Sequence, residues 1–430
     1  MQVGHTTIYT GDVFDVLRTL PPASVHCVVT SPPYFGLRDY KIDGQIGMEE
    51  TPQKHIELLV CLFREVRRVL RNDGTLWVNY GDAYASSANG RSAADTKAAG
   101  NDDRTFRDKP ISTVGNGFKP KDLMMLPARL AIALQEDGWY LRSEIVWCKR
   151  SPMPESVSDR PSSAHEKIYL LTKQERYFYD AEAVRERAAT ADTSPPRGSA
   201  GVMGSPNGGR RVSKDGTVLP DGARIRHGLG ASTLDLAEQP ATRNQWNYWL
   251  LASNSRDCAD AHFATFPPEI PRRCIMAGTS ERGVCPQCGC QWRRIVAKGE
   301  FVRTGGGANT NKIGDAMAKS CVQTSIKTTP GRFKTQTIGF APSCQCDAGE
   351  PVPATVLDIF GGAMTTPMVA NQLGRKAIAI ELNPEYVAIG VKRLQHNAAQ
   401  ELLPMAYDAP ETPQPAQAQQ AAGSLFAESE

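Results

Sequence analysis

One stretch late in the chain, TVLDIFGGAMTT at 355–366, constrains the fold more than any other. It reads as a short apolar strand, a double-glycine turn and the start of a helix, and KAIAIEL at 376–382 supplies the next strand. A unit of this kind normally opens a parallel nucleotide-binding sheet. Here it comes near the end. The chain begins instead with GDVFDVLRTLPPASVHCVVTSPPY, a turn, short helix, strand and turn, as though already halfway through such a sheet. That order is what a circular permutation looks like.

The stretches between continue the alternation. TPQKHIELLVCLFREVRRVLRNDG reads as a helix with Pro52 in its first turn, apolar residues at helical spacing and Gly74 as its stop. TLWVNYGD is a strand, KDLMMLPARLAIALQEDG a helix, and WYLRSEIVWCK and KIYLLTK two more strands. PEYVAIGVKRLQ closes the pattern as a helix. Strands alternating with helices predict a three-layer α/β fold on a mostly parallel sheet. Two regions break the rhythm: 86–117, rich in Gly, Asn, Ser and Asp, and 181–260, rich in Gly, Pro, Ser and Arg. The tail from 399 to 430 is rich in Pro, Ala and Gln and reads as disordered.

In the late unit, Gly361 and Gly362 allow close backbone approach to a ligand, and Asp358 ends the strand. Glu381 ends the following strand, where an acidic side chain can take both ribose hydroxyls. The third glycine of a dinucleotide motif is missing, and Met364 and Thr365 stand in the turn. Without a cluster of donors for a diphosphate, the motif favours an adenosine ligand lacking phosphate, which fits S-adenosylmethionine. The competing reading is an ordinary turn with two chance glycines.

The other punctuation is TSPPY at 30–34. Pro32 and Pro33 lack backbone N–H groups and fix φ, so the strand SVHCVV must stop there. A rigid turn tipped by Tyr34 suits a pocket wall that holds a flat ring beside two fixed acceptors, Ser31 Oγ and the Pro32 carbonyl. The bland alternative is a loop.

Eleven cysteines in a long chain with no leader sequence and no bilayer-length apolar run suggest a cytoplasmic protein rather than a disulfide scaffold. CPQCGC at 285–290 and CQC at 344–346 instead have zinc-knuckle spacing. Cys285, Cys288, Cys344 and Cys346 are the expected ligands, with Cys290 the spare, and the role expected is structural. Reduced cysteines without metal are the alternative. The net charge of +3 alone implies no nucleic-acid partner, although residues 185–226 hold an excess of arginine.

Taken together, SPPY followed much later by DIFGGAMTT and IAIELNPEY resembles the β-group, permuted amino-DNA methyltransferases. DIFGGAMTT departs from that family's D-P-F-x-G-S-G-T-T at Ile359, Ala363 and Met364. The resemblance implies a Rossmann-like methyltransferase fold, S-adenosylmethionine as cofactor and double-stranded DNA as substrate. It makes Ser31, Pro32, Pro33 and Tyr34 the catalytic turn, with Tyr34 stacking on a flipped base. Asp12, Phe263, Asp358, Phe360, Gly361, Gly362 and Glu381 become the cofactor residues, Asp12 through the adenine and Phe263 through the HFATFP segment that closes over the methionine end. Arg38, Arg210 and Arg211 are candidate DNA contacts. The implied organisation is a catalytic half at 1–85 and 118–180, interrupted by the insertion at 86–117. Target recognition then occupies 181–260, the closing segment 261–280, a zinc-type insertion 281–350 and the cofactor half 351–398. A homodimer is also plausible by resemblance.

The acceptor amino group is N6 of adenine or N4 of cytosine. TSPPY is the pattern usually assigned to cytosine N4, while the run SPPYFGLRDY resembles solitary phage and prophage enzymes, which tips the expectation narrowly to adenine. No cysteine follows a proline, which excludes a C5-cytosine enzyme. Methyltransferases of RNA or protein amides carry the cofactor motif first, so the order argues against them. A non-enzymatic zinc DNA-binding protein would need neither SPPY nor Glu381. In the tail, Gln420 with Ser424, Leu425 and Phe426 loosely resembles peptides that dock on sliding clamps, although the spacing differs and an ordinary linker is the preferred reading.

Overall fold

The computed structural model describes residues 1–37, 42–87, 111–115, 117–152, 155–187, 242–252, 266–303, 331–347 and 349–401. The chain divides into two compact units. The larger takes in 1–184, 244–297 and 337–430, and the smaller 185–243 and 298–336. Within the smaller unit, β7 (Glu186–Arg187) pairs antiparallel with β8 (Thr242–Arg243).

The larger unit is built on a nine-stranded mixed sheet. Along the chain its strands are β1 (Gln2–Val3), β2 (Thr6–Thr10), β3 (Val25–Thr30), β4 (Leu70–Tyr80), β5 (Tyr140–Lys149), β6 (His165–Thr172), β9 (Tyr248–Leu251), β12 (Thr355–Asp358) and β13 (Lys376–Glu381). Their spatial order is β1-β2-β13-β12-β3-β4-β6-β5-β9. The late strand β12 is therefore central, with β13 and β2 on one side and β3 and β4 on the other. β2, β13, β12, β3 and β4 run parallel, and β6 is antiparallel to both β4 and β5. Connections from β12 and from β3 lead away in opposite directions, so a crevice opens at their carboxyl ends, where ligands sit in open α/β sheets.

Helices cover both faces. α1 (Val13–Thr19), α2 (Pro52–Val69) and α3 (Leu126–Glu136) pack with Val28, Leu76 and Val78. α4 (Glu269–Gly278), α5 (Thr365–Gln372) and α6 (Pro384–Glu401) pack on the opposite face with Cys27, Val29 and Trp77. Strand alternation explains the division, because successive residues point to opposite faces. All six residues of β3 are buried, as a strand covered on both faces requires.

α2 shows how local signals set an element. Thr51 caps it by accepting from the Lys54 N–H at 3.1 Å, and Pro52 stands at the first position. Leu59, Leu62, Phe63 and Val66 are fully buried, each worth roughly 1.5–3 kcal/mol of transfer free energy. The helix ends at Val69, before the glycine that sequence made its stop. Gly74 lies inside β4, where an added Cβ would come 2.9 Å from the His26 carbonyl of β3. Its role is close strand approach.

Candidate active site

Two turns meet at the crevice. β12 ends at Asp358, which is 2% exposed. Its Oδ1 accepts from the Thr30 hydroxyl at 2.8 Å and from the Phe360 N–H at 3.1 Å. Thr30 is the residue before Ser31, so this bond ties the late glycine turn to the early proline turn. Burial pushes the Asp358 carboxyl up to about 7, against the pull of its hydrogen bonds.

The glycine turn is shaped from below. Gly361 donates to the Ile380 carbonyl at 2.8 Å, and an added Cβ there would lie 3.1 Å from Met364 Sδ and 3.2 Å from Ala379 Cβ. Met364 starts α5 with a left-handed φ of 60° and a fully buried side chain. A Cβ on Gly390 of α6 would lie 2.2 Å from its Cγ, so Met364 fills the space under the turn that Gly390 leaves open. This departure from the expected motif is a packing residue.

Glu381 closes the ring of backbone donors. Its Oε2 accepts from the Gly362 N–H at 2.7 Å and its Oε1 from the Asn383 N–H at 2.9 Å. Burial pushes its carboxyl upward. Gly11 donates to the Glu381 carbonyl at 3.0 Å, which brings the start of α1 to the same edge. There Asp12 caps α1, accepting from Phe14 and Asp15 at 2.8 and 3.2 Å. Asp12, Asp358, Phe360, Gly361, Gly362 and Glu381 thus all lie at the carboxyl ends of three neighbouring strands.

The proline turn continues from β3. Pro32 is buried, while Ser31, Pro33 and Tyr34 are half-buried. The Tyr34 hydroxyl donates to Glu166 Oε2 at 2.7 Å, and its ring meets Tyr80 edge-on at 5.2 Å. Gly81 makes room: a Cβ there would lie 2.5 Å from Tyr34 Cε2. Burial, and then the Glu166 charge, push the phenol well above its usual range. The Ser31 side chain lies beside the Tyr34 hydroxyl, whose single proton goes to Glu166. The Ser31 oxygen keeps lone pairs that can accept.

Glu166 stands second in β6. In the fold it joins Tyr34, Asn79 Nδ2 at 3.1 Å and Lys149 Nζ at 2.6 Å. A second brace lies behind the turn. Glu49 accepts from the Gly47 N–H and lies 2.7 Å from His55 Nδ1, and His55 Nε2 lies 2.7 Å from the Tyr80 hydroxyl. Gly47 also accepts from the Gly36 N–H at 2.8 Å. Neither brace has a local sequence signature, since each depends on strands brought together by topology.

Away from the crevice, the Sγ atoms of Cys285, Cys288, Cys344 and Cys346 all lie within 4.8 Å of one another. Phe263, Arg38, Arg210 and Arg211 fall outside the described residues, as do most of 181–260 and 86–117 and the tail from 402.

The chain matches the family of N6/N4 methyltransferases, described as DNA methylase, over residues 25–285 and 310–392, well over half its length. It belongs to the N6/N4 DNA methylase family. Relatives span the methylase almost end to end. Type II methyltransferase M.Cfr9I of Citrobacter freundii is 37% identical over 395 residues, 92% of this chain and 89% of its own. M.XycI of Xanthomonas campestris pv. cyanopsidis is 37% identical over 390 residues, 91% and 88% of the two chains. M.SmaI of Serratia marcescens is 32% identical over 397 residues, 90% of each. This methylase is accordingly an S-adenosylmethionine-dependent enzyme that acts on an exocyclic amino group of DNA. Among its described residues, no helix is long and apolar enough to cross a membrane.

Proposed function

We propose that this chain is a site-specific DNA methyltransferase of the permuted, β-group kind, in which Ser31-Pro32-Pro33-Tyr34 is the catalytic turn. The observation that carries the proposal is the Thr30–Asp358 hydrogen bond, which sets the proline turn beside the glycine turn at the ends of adjacent parallel strands. The central place of β12, so late in the chain, supports the permuted order.

The amino nitrogen of a base is a poor nucleophile because its lone pair is delocalised into the ring. Ser31 Oγ and the Pro32 carbonyl accept its hydrogens and favour a pyramidal nitrogen. The prolines hold those acceptors in place before the reaction, which is how electrostatic preorganisation lowers a barrier. The lone pair attacks the sulfonium methyl in line: a C–N bond forms, the C–S bond breaks, its electron pair stays on sulfur, and a proton leaves the amino group to solvent. Holding the methyl donor and the base in two adjoining turns supplies the orientation. The base is flipped out of the duplex to reach the site, at a cost of a few kcal/mol. Tyr34 offers the half-buried ring against which it stacks.

For the base we favour N4 of cytosine. TSPPY is the pattern usually assigned to it, while the Type II names of the relatives spanning nine-tenths of the chain specify no base. The likeness to solitary phage enzymes that tipped the sequence reading to adenine has no counterpart among those three. N6 of adenine is the second reading, since a serine hydroxyl accepts from either amino group. The proposal also takes 181–260 as the target-reading region, with Arg38, Arg210 and Arg211 toward DNA, Phe263 over the cofactor and a structural Zn²⁺ on Cys285, Cys288, Cys344 and Cys346. Dimerisation and clamp docking by the tail belong to the reading only as resemblances.

Incubation with S-adenosylmethionine and duplex DNA, followed by nucleoside mass spectrometry, should yield N4-methylcytosine. Recovery of N6-methyladenine instead would establish the second reading, and no methylated nucleoside at all would defeat both. The cofactor assignment has its own test. Glu381→Ala should weaken S-adenosylmethionine binding by about 1.5–3 kcal/mol, the scale of hydrogen bonds to a charged group. Titration calorimetry reads this directly, and wild-type affinity in that variant would remove Glu381 from the cofactor site.

A further inference from the structure

The cysteine cage is joined to the catalytic sheet by a specific set of bonds. Cys285 and Cys288 lie on a knuckle turn in which the Gly289 N–H donates to the Cys285 carbonyl at 2.8 Å and the Cys285 N–H to the Cys290 carbonyl at 2.9 Å. Gly289 has φ +72°, which favours glycine, and a Cβ there would lie 2.5 Å from Arg71 Nη1, so a side chain would push the guanidinium aside. Val284, just before the knuckle, exchanges two backbone hydrogen bonds with Val352, at 2.8 and 2.9 Å. Cys344 and Cys346 arrive at the end of the hairpin formed by β10 (Arg293–Arg303) and β11 (Gly331–Ala341). Ser343 fastens that end by donating to the Gln291 carbonyl at 2.7 Å.

Four thiolates around one Zn²⁺ at about 2.3 Å set their sulfurs about 3.8 Å apart. The observed cage, within 4.8 Å, needs only a slight contraction to reach that geometry. Cys285 is buried and the other three are half-buried, so the site is closed enough for a structural ion. Cys290 stays outside it, its Sγ 4.0 Å from Arg71 Nη2.

The knuckle's carbonyls then reach the sheet. Arg71, at the start of β4, donates from Nη1 to the Cys288 carbonyl at 3.0 Å. His26, at the start of β3, has Nε2 3.1 Å from the Gly289 carbonyl, while its Nδ1 accepts from the Thr355 N–H at 3.0 Å. Since Nδ1 is the acceptor, Nε2 carries the proton and donates to Gly289. One buried imidazole thus links the knuckle to β3 and to β12.

Resting on the zinc reading above, we infer that the metal-loaded knuckle is a clasp on the amino ends of β3, β4 and β12. Their carboxyl ends carry the proline and glycine turns. The ion holds the Cys288 and Gly289 carbonyls where Arg71 and His26 reach them together, and so helps fix the stagger of β3 against β4 and β12. A metal-free knuckle loses its four-point anchor, and the His26 bridge loses one end.

The experiment uses the full-length protein purified without chelator. Native mass spectrometry should find one Zn²⁺ per chain, lost in Cys288→Ser and Cys346→Ser. No zinc in metal-replete protein, or disulfides among these four cysteines, would overturn the zinc reading and the clasp together. Hydrogen–deuterium exchange is then compared before and after zinc is stripped with EDTA. The clasp predicts loss of protection at 25–30 and 355–358 as well as in the knuckle. If only 284–292 and 341–347 respond, the ion is a local staple and the clasp is wrong, with the zinc reading intact. Arg71→Met supplies an independent arm: it should keep its zinc yet show a smaller fall in melting temperature on chelation than the parent. An undiminished fall would also overturn the clasp.

Discussion

Ser31→Ala is expected to slow methyl transfer ~10²–10³-fold, the usual cost of removing one preorganised hydrogen-bonding group from a site of charge development, while S-adenosylmethionine binds as before. The physical reason is that Ser31 Oγ meets an amino group whose hydrogens become more acidic as the forming C–N bond puts positive charge on nitrogen, so its contribution is larger in the transition state than in the ground state. The Pro32 carbonyl remains as the second acceptor, which leaves residual activity. Single-turnover kinetics with saturating cofactor should show the loss in the chemical step. A turnover equal to the parent's would take Ser31 out of the mechanism. The network behind Ser31 predicts a graded companion effect. Tyr34→Phe removes the hydroxyl that bonds Glu166 and lies beside Ser31. It keeps the stacking ring, so it should lower kcat by less than Ser31→Ala and leave KM for DNA largely unchanged.

The parts of this site that were legible in the sequence are those whose chemistry is local. A double proline stops a strand wherever it occurs, and a double glycine after a buried run marks a tight turn, so both crevice turns could be placed from residue order alone. Sequence also grouped Cys285, Cys288, Cys344 and Cys346, because paired cysteines a few residues apart have few uses other than metal. What was not legible depends on strand order. Glu166 reaches Tyr34 across 132 residues only because β6 inserts between β4 and β5. The same holds for His26, an unremarked residue of an apolar strand that becomes the bridge from β3 to β12 and the knuckle. Met364 stood in the sequence only as a departure from the expected glycine motif. Its support comes from Gly390, a residue on a different helix whose missing side chain leaves the space. The end of α2 was misplaced for a related reason: Gly74 was read as a helix stop, yet its bareness serves the approach of β3.

Asp358 should contribute a fall in the stability of the cofactor-free protein as pH rises from about 4 to about 7, opposed by the buried His26 imidazole, whose lowered value acts in the other sense, and Asp358→Asn should remove the Asp358 share. The Asp358 carboxyl has an ordinary value of 3.8 and is pushed up to about 7 in the fold, with burial the leading cause. Between those values the folded chain keeps a proton that the unfolded chain has lost, so raising the pH favours unfolding. The contribution is fully present below 3.8, is lost as pH rises through the folded value, and is flat above it. Three pKa units correspond to about 4 kcal/mol at most, and Asp358 has almost no exposure to screen it. Asparagine keeps an acceptor oxygen for both the Thr30 hydroxyl and the Phe360 N–H and never ionises. The variant should therefore match the parent at pH 4 and exceed it in stability at pH 8. Glu381 is also pushed upward by burial and adds a slope of the same sign in both proteins, so the difference between variant and parent isolates Asp358. Urea unfolding at pH 4, 6 and 8 measures it. Parallel curves would mean that Asp358 is ionised in the fold at neutral pH and that a compensating charge, not a retained proton, accounts for its burial.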